Sequence, residues 1–117
     1  MIIAVNVIGD DVSEGLGRAQ TMAVADVENG QIESWQTYDV RWDLSHDLPS
    51  GHSAHHARIT DFMTEHDVDA VVSGHVGPPM VMVLSQMGIG VLQEAEGDAR
   101  QAVLDAAAIL AEGHDAS

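Results

Sequence analysis

Three histidines, His52, His55 and His56, precede an apolar stripe of helical spacing in a 117-residue chain that has no cysteine and no lysine. Imidazole is the best borderline metal ligand such a chain can offer besides methionine, so a transition-metal site must draw on its seven histidines and its carboxylates. Thiolate ligation and thiol catalysis by the chain itself are excluded. At 100° per residue with Ile59 as origin, His55 lies about 40° to one side, His56 about 60° to the other and His52 about 20° away. All three point toward the side of the core. Because they sit in or before the helix's first turn, they should project past the core at a ligand-binding edge.

His75 supplies a second signal, in the run Ser73-Gly74-His75-Val76-Gly77-Pro78-Pro79 between a strand and a helix. Gly74 and Gly77 permit close backbone approach, and proline in the first helical turn leaves amides near Gly77 to face an anion. The run has no GxxxxGK[ST] pattern, so a nucleotide phosphate loop is not supported. Met80, Met82 and Met87 read as gap-filling core of a buried helix rather than copper ligands. Asp10 and Asp11 are either a metal-binding pair or solvated carboxylates at a strand end. No serine lies in a nucleophile elbow, and a two-metal nuclease would want acids where Val5, Val7 and Gly74 stand.

The elements that must position these residues follow from periodicity. Met1 to Ile8 is a near-continuous β-branched run, as in a central strand buried on both faces. A loop through Ser13, Gly15 and Gly17 leads to strands at 21–27 and 31–40, joined by the hairpin signal Asn29-Gly30 and completing a meander. Residues 41–52 have no periodicity and are expected as a loop. Trp35, Tyr38 and Trp42 form an edge contact surface or pack beneath that loop. A helix over 53–66, a strand at 69–73, a helix over 79–87, a strand at 89–93 and an Ala-rich helix over 98–112 stopped by Gly113 complete the chain. The first, fourth and fifth strands should be parallel neighbours, with the third running in their direction. Their carboxyl-end loops, 9–18, 41–56, 74–79 and 94–98, then gather along one edge.

Composition narrows the function classes. Nineteen Asp and Glu against four Arg give a formal charge of -15, which repels phosphate backbones and anionic membranes. Neither nucleic acid nor membrane is expected as a partner. A 45% hydrophobic content with few aromatics implies one folded domain with an aliphatic core, expected over 1–113 with a disordered tail at 114–117. No window spans a membrane, and residues 2–8 are too short for a signal core, so a cytoplasmic protein is expected. The absence of lysine fits a high-salt cytoplasm or codon bias. Against this acidic background Arg18, the histidines and three helix N-termini at one edge favour an anionic metal complex over a bare cation. Zn or Ni held by His52, His55 and His56 with Asp10 or Asp11 is the alternative.

The order of Val12-Ser13-Glu14-Gly15-Leu16-Gly17-Arg18-Ala19, Asp26-Val27-Glu28-Asn29-Gly30, Gly51-His52, Val68-Asp69-Ala70-Val71-Val72, Gly77-Pro78, Leu84, Gly88-Ile89 and the closing Ala-rich helix resembles the dinitrogenase iron-molybdenum cofactor biosynthesis family. The resemblance implies a ribonuclease-H-like α/β domain with a five-stranded mixed sheet and three helices. It also implies binding or carriage of a metal-sulfur cluster rather than catalysis. The family often has His-Phe after Ser-Glu in the first loop, where this chain has Gly15-Leu16; His55, His56 and His75 are candidates to compensate. The expected cofactor-binding residues are Ser13, Arg18, His52, His55, His56, His75 and Gly77, with the four histidines as metal ligands. The leading expectation is a non-enzymatic carrier of an iron-molybdenum or other metal-sulfur cluster, a monomer or weak dimer working with a cofactor-assembly or recipient protein. A small His-ligated zinc hydrolase and a metal-free interaction domain are the other two readings.

Overall fold

The computed structural model describes the backbone of residues 1–46 and 52–115 and the side chains of 1–44 and 55–111. Strand β1 (Ile2–Ile8) is buried through Ile3–Val7 and lies at the middle of the sheet, as its unbroken apolar run requires. A two-residue strand β2 (Asp11–Val12) folds back on its end, and β3 (Thr21–Glu28) pairs antiparallel along its length. Asn29 and Gly30, with φ of 53° and 76°, form the tight turn into β4 (Gln31–Asp39). Two successive positive φ values match the right-handed twist of a hairpin, and Asn-Gly tolerates them at least cost.

Helices α1 (Trp42–His46) and α2 (His52–Glu65) precede β5 (Ala70–Val72), followed by α3 (Pro78–Gln86), β6 (Gly90–Leu92) and α4 (Ala99–Asp115). The strand order is β4-β3-β1-β5-β6, with β5 and β6 parallel to β1. The meander and the parallel half are therefore arranged as periodicity predicts. This is a mixed α/β fold.

Four expectations are corrected. The sheet has six strands rather than five, because β2 adds a short pair with β1 and an isolated bridge from Asp11 to Asp98. Helix α1 forms in the segment expected as a loop, because Trp42 is buried and its N–H donates to the Ala19 carbonyl at 2.8 Å; four α-helices are thus described instead of three. Helix α4 passes Gly113 and runs to Asp115, leaving 116 and 117 of the expected tail outside the described residues. Helix α3 is not enclosed: Met80 and Leu84 are buried, but Met82 is 63% and Met87 40% exposed. Among the described residues, the outer face of this apolar helix is left exposed.

Alternation along the central strands divides the core into two layers. Ala4, Met22 and Val71 face α2 and α3, where they meet Leu16, Ile59, Phe62, Met63, Met80 and Leu84. Ile3, Val5, Val7, Ala23, Ala25, Ala70 and Val72 face α4. There Ala99, Val103 and Ala106 recur at helical spacing, and small side chains on both surfaces allow helix and sheet to approach closely. Phe62 anchors the first layer, edge-on to Trp42 and Tyr38 with ring centroids 5.5 and 5.7 Å away. Trp35, on the other face, carries the Arg100 guanidinium 4.5 Å above its ring.

Candidate functional site

The carboxyl-end loops of β1, β5 and β6 are laced into one surface by hydrogen bonds. The Gly74 N–H donates to the Ser13 carbonyl at 3.3 Å, the His75 N–H to the Glu14 carbonyl, and the Leu16 N–H to the His75 carbonyl at 3.0 Å. The Val76 N–H donates to Gln93 Oε1 at 2.9 Å, and the Glu94 N–H to the Gly74 carbonyl at 3.0 Å. Two buried polar side chains lock the lacing. Asn6 donates to the carbonyl and hydroxyl of Ser13, and the Ser73 hydroxyl lies 3.1 Å from the carbonyls of Glu14 and His75. Gly74 is required by proximity, since a Cβ there would stand 2.9 Å from Glu14 Cα.

This surface bounds a cleft of about 270 Å³ between the 3₁₀ turn Leu16–Arg18, the start of α2 and the start of α3. Arg18, His55, His56 and His75 supply its polar wall, and Leu16, Ile59, Val76, Pro79 and Met80 its apolar one. His55 is buried, His56 half-buried and His75 exposed. The rings of His55 and His56 lie 6.1 Å apart. No described carboxylate lines the cleft. A water needs only about 10–15 Å³ of such space, so the cleft fits a polyatomic group.

The predicted residues are distributed as follows. Arg18, His55, His56, His75 and Gly77 come together around the cleft. His55 is turned inward rather than past the core, because at 4% exposure it is covered along with Ile59, one turn on. His52 opens α2, but its side chain lies outside the described residues. Ser13 faces a neighbouring open cleft with Glu14, Glu94 and Glu96, separated from the first by Gly15, Arg18 and His75, which line both. Gly77 is the N-cap of α3, yet Pro78 and Pro79 occupy the next two positions. Neither has an N–H, so the helix end offers fewer amides to an anion than the sequence suggested. Asp10 and Asp11 are solvent-exposed and outside the cleft.

Among the described residues no three His, Asp or Glu side chains are grouped to hold a metal ion. The described polar side chains of the cleft are three imidazoles and one guanidinium. Asn6, Ser73 and Gln93, which hold the loops, were absent from the sequence-based site, whereas the close approach at Gly74 was expected. Asn6 carried a readable signal, as an amide inside a β-branched strand. The partners of the other two depend on loops distant in the chain.

Solved structures share this fold. The family model described as dinitrogenase iron-molybdenum cofactor matches residues 1–108. The crystal structure of PH0822 superposes with a TM-score of 0.70 at 18% identity, covering 91% of this chain and 88% of that one. The apo form of the orange protein from Desulfovibrio gigas gives a TM-score of 0.68 at 28% identity, covering 87% and 82%. The Methanocaldococcus jannaschii protein MJ0327 gives 0.62 at 14% identity, covering 89% and 84%. No curated protein sequence matches the chain. Among the described residues no helix is long and apolar enough to cross a membrane.

Proposed function

Because the chain belongs to the dinitrogenase iron-molybdenum cofactor family, we propose that it binds and carries an anionic metal-sulfur cofactor, an iron-molybdenum cofactor or a related cluster, without catalysing a reaction. One observation carries the reading. In a chain with 19 Asp and Glu, the cleft that gathers three imidazoles and Arg18 has no described carboxylate in its lining. Such a local reversal of charge serves an anionic guest. The family match supplies the chemical class, and the likeness to the apo form of the orange protein supports the frame.

In this reading the imidazoles of His55, His56 and His75 face the cluster as nitrogen donors, while Arg18 donates to its anionic periphery. His52 joins the set on the strength of the family resemblance. Leu16, Ile59, Val76 and Met80 keep water from one side, which strengthens the polar contacts on the other. The frame is the ribonuclease-H-like motif that the resemblance implies. The working form is a cytoplasmic monomer or weak dimer that exchanges cargo with a cofactor-assembly or recipient protein.

The test is anaerobic reconstitution with iron, molybdate and sulfide, followed by elemental analysis and visible absorption. The wild-type chain should retain coloured, metal-containing cargo. The combined His52→Ala, His55→Ala and His56→Ala variant should lose most of it while keeping a folded circular dichroism spectrum. Unchanged metal content in that variant would overturn the histidine assignment. Stoichiometric zinc with a chelator-sensitive hydrolytic activity would replace the carrier with an enzyme, and a metal-free product with an interaction domain.

A further inference from the structure

A second concavity lies on the opposite face of the sheet, between β6 and α4. Its volume is about 400 Å³, with Leu92 and Ile109 on an apolar floor and Glu94, Glu96, Asp98 and Asp105 around its rim. Ile109 is 54% exposed, a large aliphatic side chain left uncovered on α4. None of the four arginines lines this groove.

Strand β6 is also the end strand of the sheet, pairing among the described residues with β5 alone. The Gly90 N–H donates to the Asp69 carbonyl and the Leu92 carbonyl accepts from the Ser73 N–H. Gly90 and Leu92 therefore turn their peptide groups inward, and strand alternation directs those of Val91 outward. The outer edge of β6 and the acid-rimmed apolar groove are thus continuous.

We propose that this edge and groove dock an extended, basic segment of a partner protein, which adds to the sheet beside β6. Main-chain hydrogen bonds would pair the segment with the β6 edge, and every second side chain would enter the groove over Leu92 and Ile109. Basic side chains on that same face, flanking the apolar ones, would meet Glu94, Glu96, Asp98 and Asp105. Charge selects the occupant. A second copy of this chain brings the same acidic rim and a like charge of -15, so edge-to-edge self-pairing is opposed. A cationic segment is attracted by the same groups.

The probe is a synthetic ten-residue lysine-valine peptide whose groove-facing alternate positions read Lys-Val-Val-Val-Lys with serine between them, and the control is a lysine-serine peptide of equal charge in which serine replaces valine. Both are titrated against the full chain, with amide chemical shifts followed by NMR. The lysine-valine peptide should bind at least about tenfold more tightly. Its shifts should concentrate in β6 and α4. Ile109→Asp should remove that tenfold advantage without unfolding the chain, since the side chain is largely exposed, and Ile109→Ser should reduce it. Paired Glu94→Gln and Glu96→Gln should weaken binding and flatten its salt dependence. Equal binding of the two peptides, shifts spread over the whole acidic surface, or an unchanged Ile109→Asp variant would overturn the proposal. So would a dimer in sedimentation that Ile109→Asp dissolves, which would make a second copy the occupant.

Discussion

Asn6 donates its side-chain amide to both the carbonyl and the hydroxyl oxygen of Ser13, at 2.9 and 2.8 Å, and so ties the middle of the sheet to the first loop of the cleft. Asn6 is fully buried, and Ser13 returns a main-chain bond to its carbonyl at 2.8 Å. Asn6→Asp should cost about 1–3 kcal/mol at neutral pH, since a carboxylate cannot donate to the Ser13 carbonyl and would be buried as a charge. Urea denaturation checks this. A midpoint equal to wild type would show that the clamp carries no stability.

Gly74 and Gly77 stand three residues apart and predict opposite outcomes. A Cβ at Gly74 would meet Glu14 backbone atoms at 2.9 and 3.0 Å, whereas one at Gly77 would have only Pro79 Cδ at 4.0 Å. Gly74→Ala should therefore lose about 1–3 kcal/mol as the loop is forced away, and Gly77→Ala should stay within about 0.5 kcal/mol. Thermal unfolding of the two variants side by side is the measurement.

Arg18 lines the cleft while remaining exposed, so its replacement should separate cargo from stability. Arg18→Glu should reduce retained metal after anaerobic reconstitution severalfold and leave the denaturation midpoint nearly unchanged. Equal metal content in both chains would remove Arg18 from the site.

Phe62 and Met82 test the two sides of the helical layer. Phe62 is packed edge-on between Trp42 and Tyr38, so Phe62→Ala should cost about 3–5 kcal/mol. Met82→Ser, on the exposed face of α3, should change stability by less than about 0.5 kcal/mol. A large loss at Met82 would mean that its face is covered in solution.

The Arg41 guanidinium donates to Asp43 at 3.1 Å and holds that carboxyl below its ordinary range. A lowered folded-state pKa gives stability that is present above the unfolded value and lost as pH falls through the folded one. The pair is exposed, so the contribution is small. An NMR titration should find Asp43 below the usual aspartate value, and Arg41→Gln should move it upward.

By itself the sequence determined the alternation of strands and helices, the parallel neighbourhood of β1, β5 and β6 and the Asn29-Gly30 hairpin, because periodicity and turn chemistry are local properties of the chain. It also marked His55, His56, His75 and Arg18, whose chemical types are unusual in so acidic a protein. Tertiary structure decided what local spacing does not encode. It buried Trp42 and so formed α1, left Met82 outside the core, and placed Asn6 and Gly74 as the residues that hold the loops together. It also brought the guanidinium and imidazoles of three separate segments to one cleft while turning Glu14, Glu94 and Glu96 to the next. That separation of charge arises where loops meet across the sheet edge, and it depends on distances between residues up to about eighty positions apart in the chain.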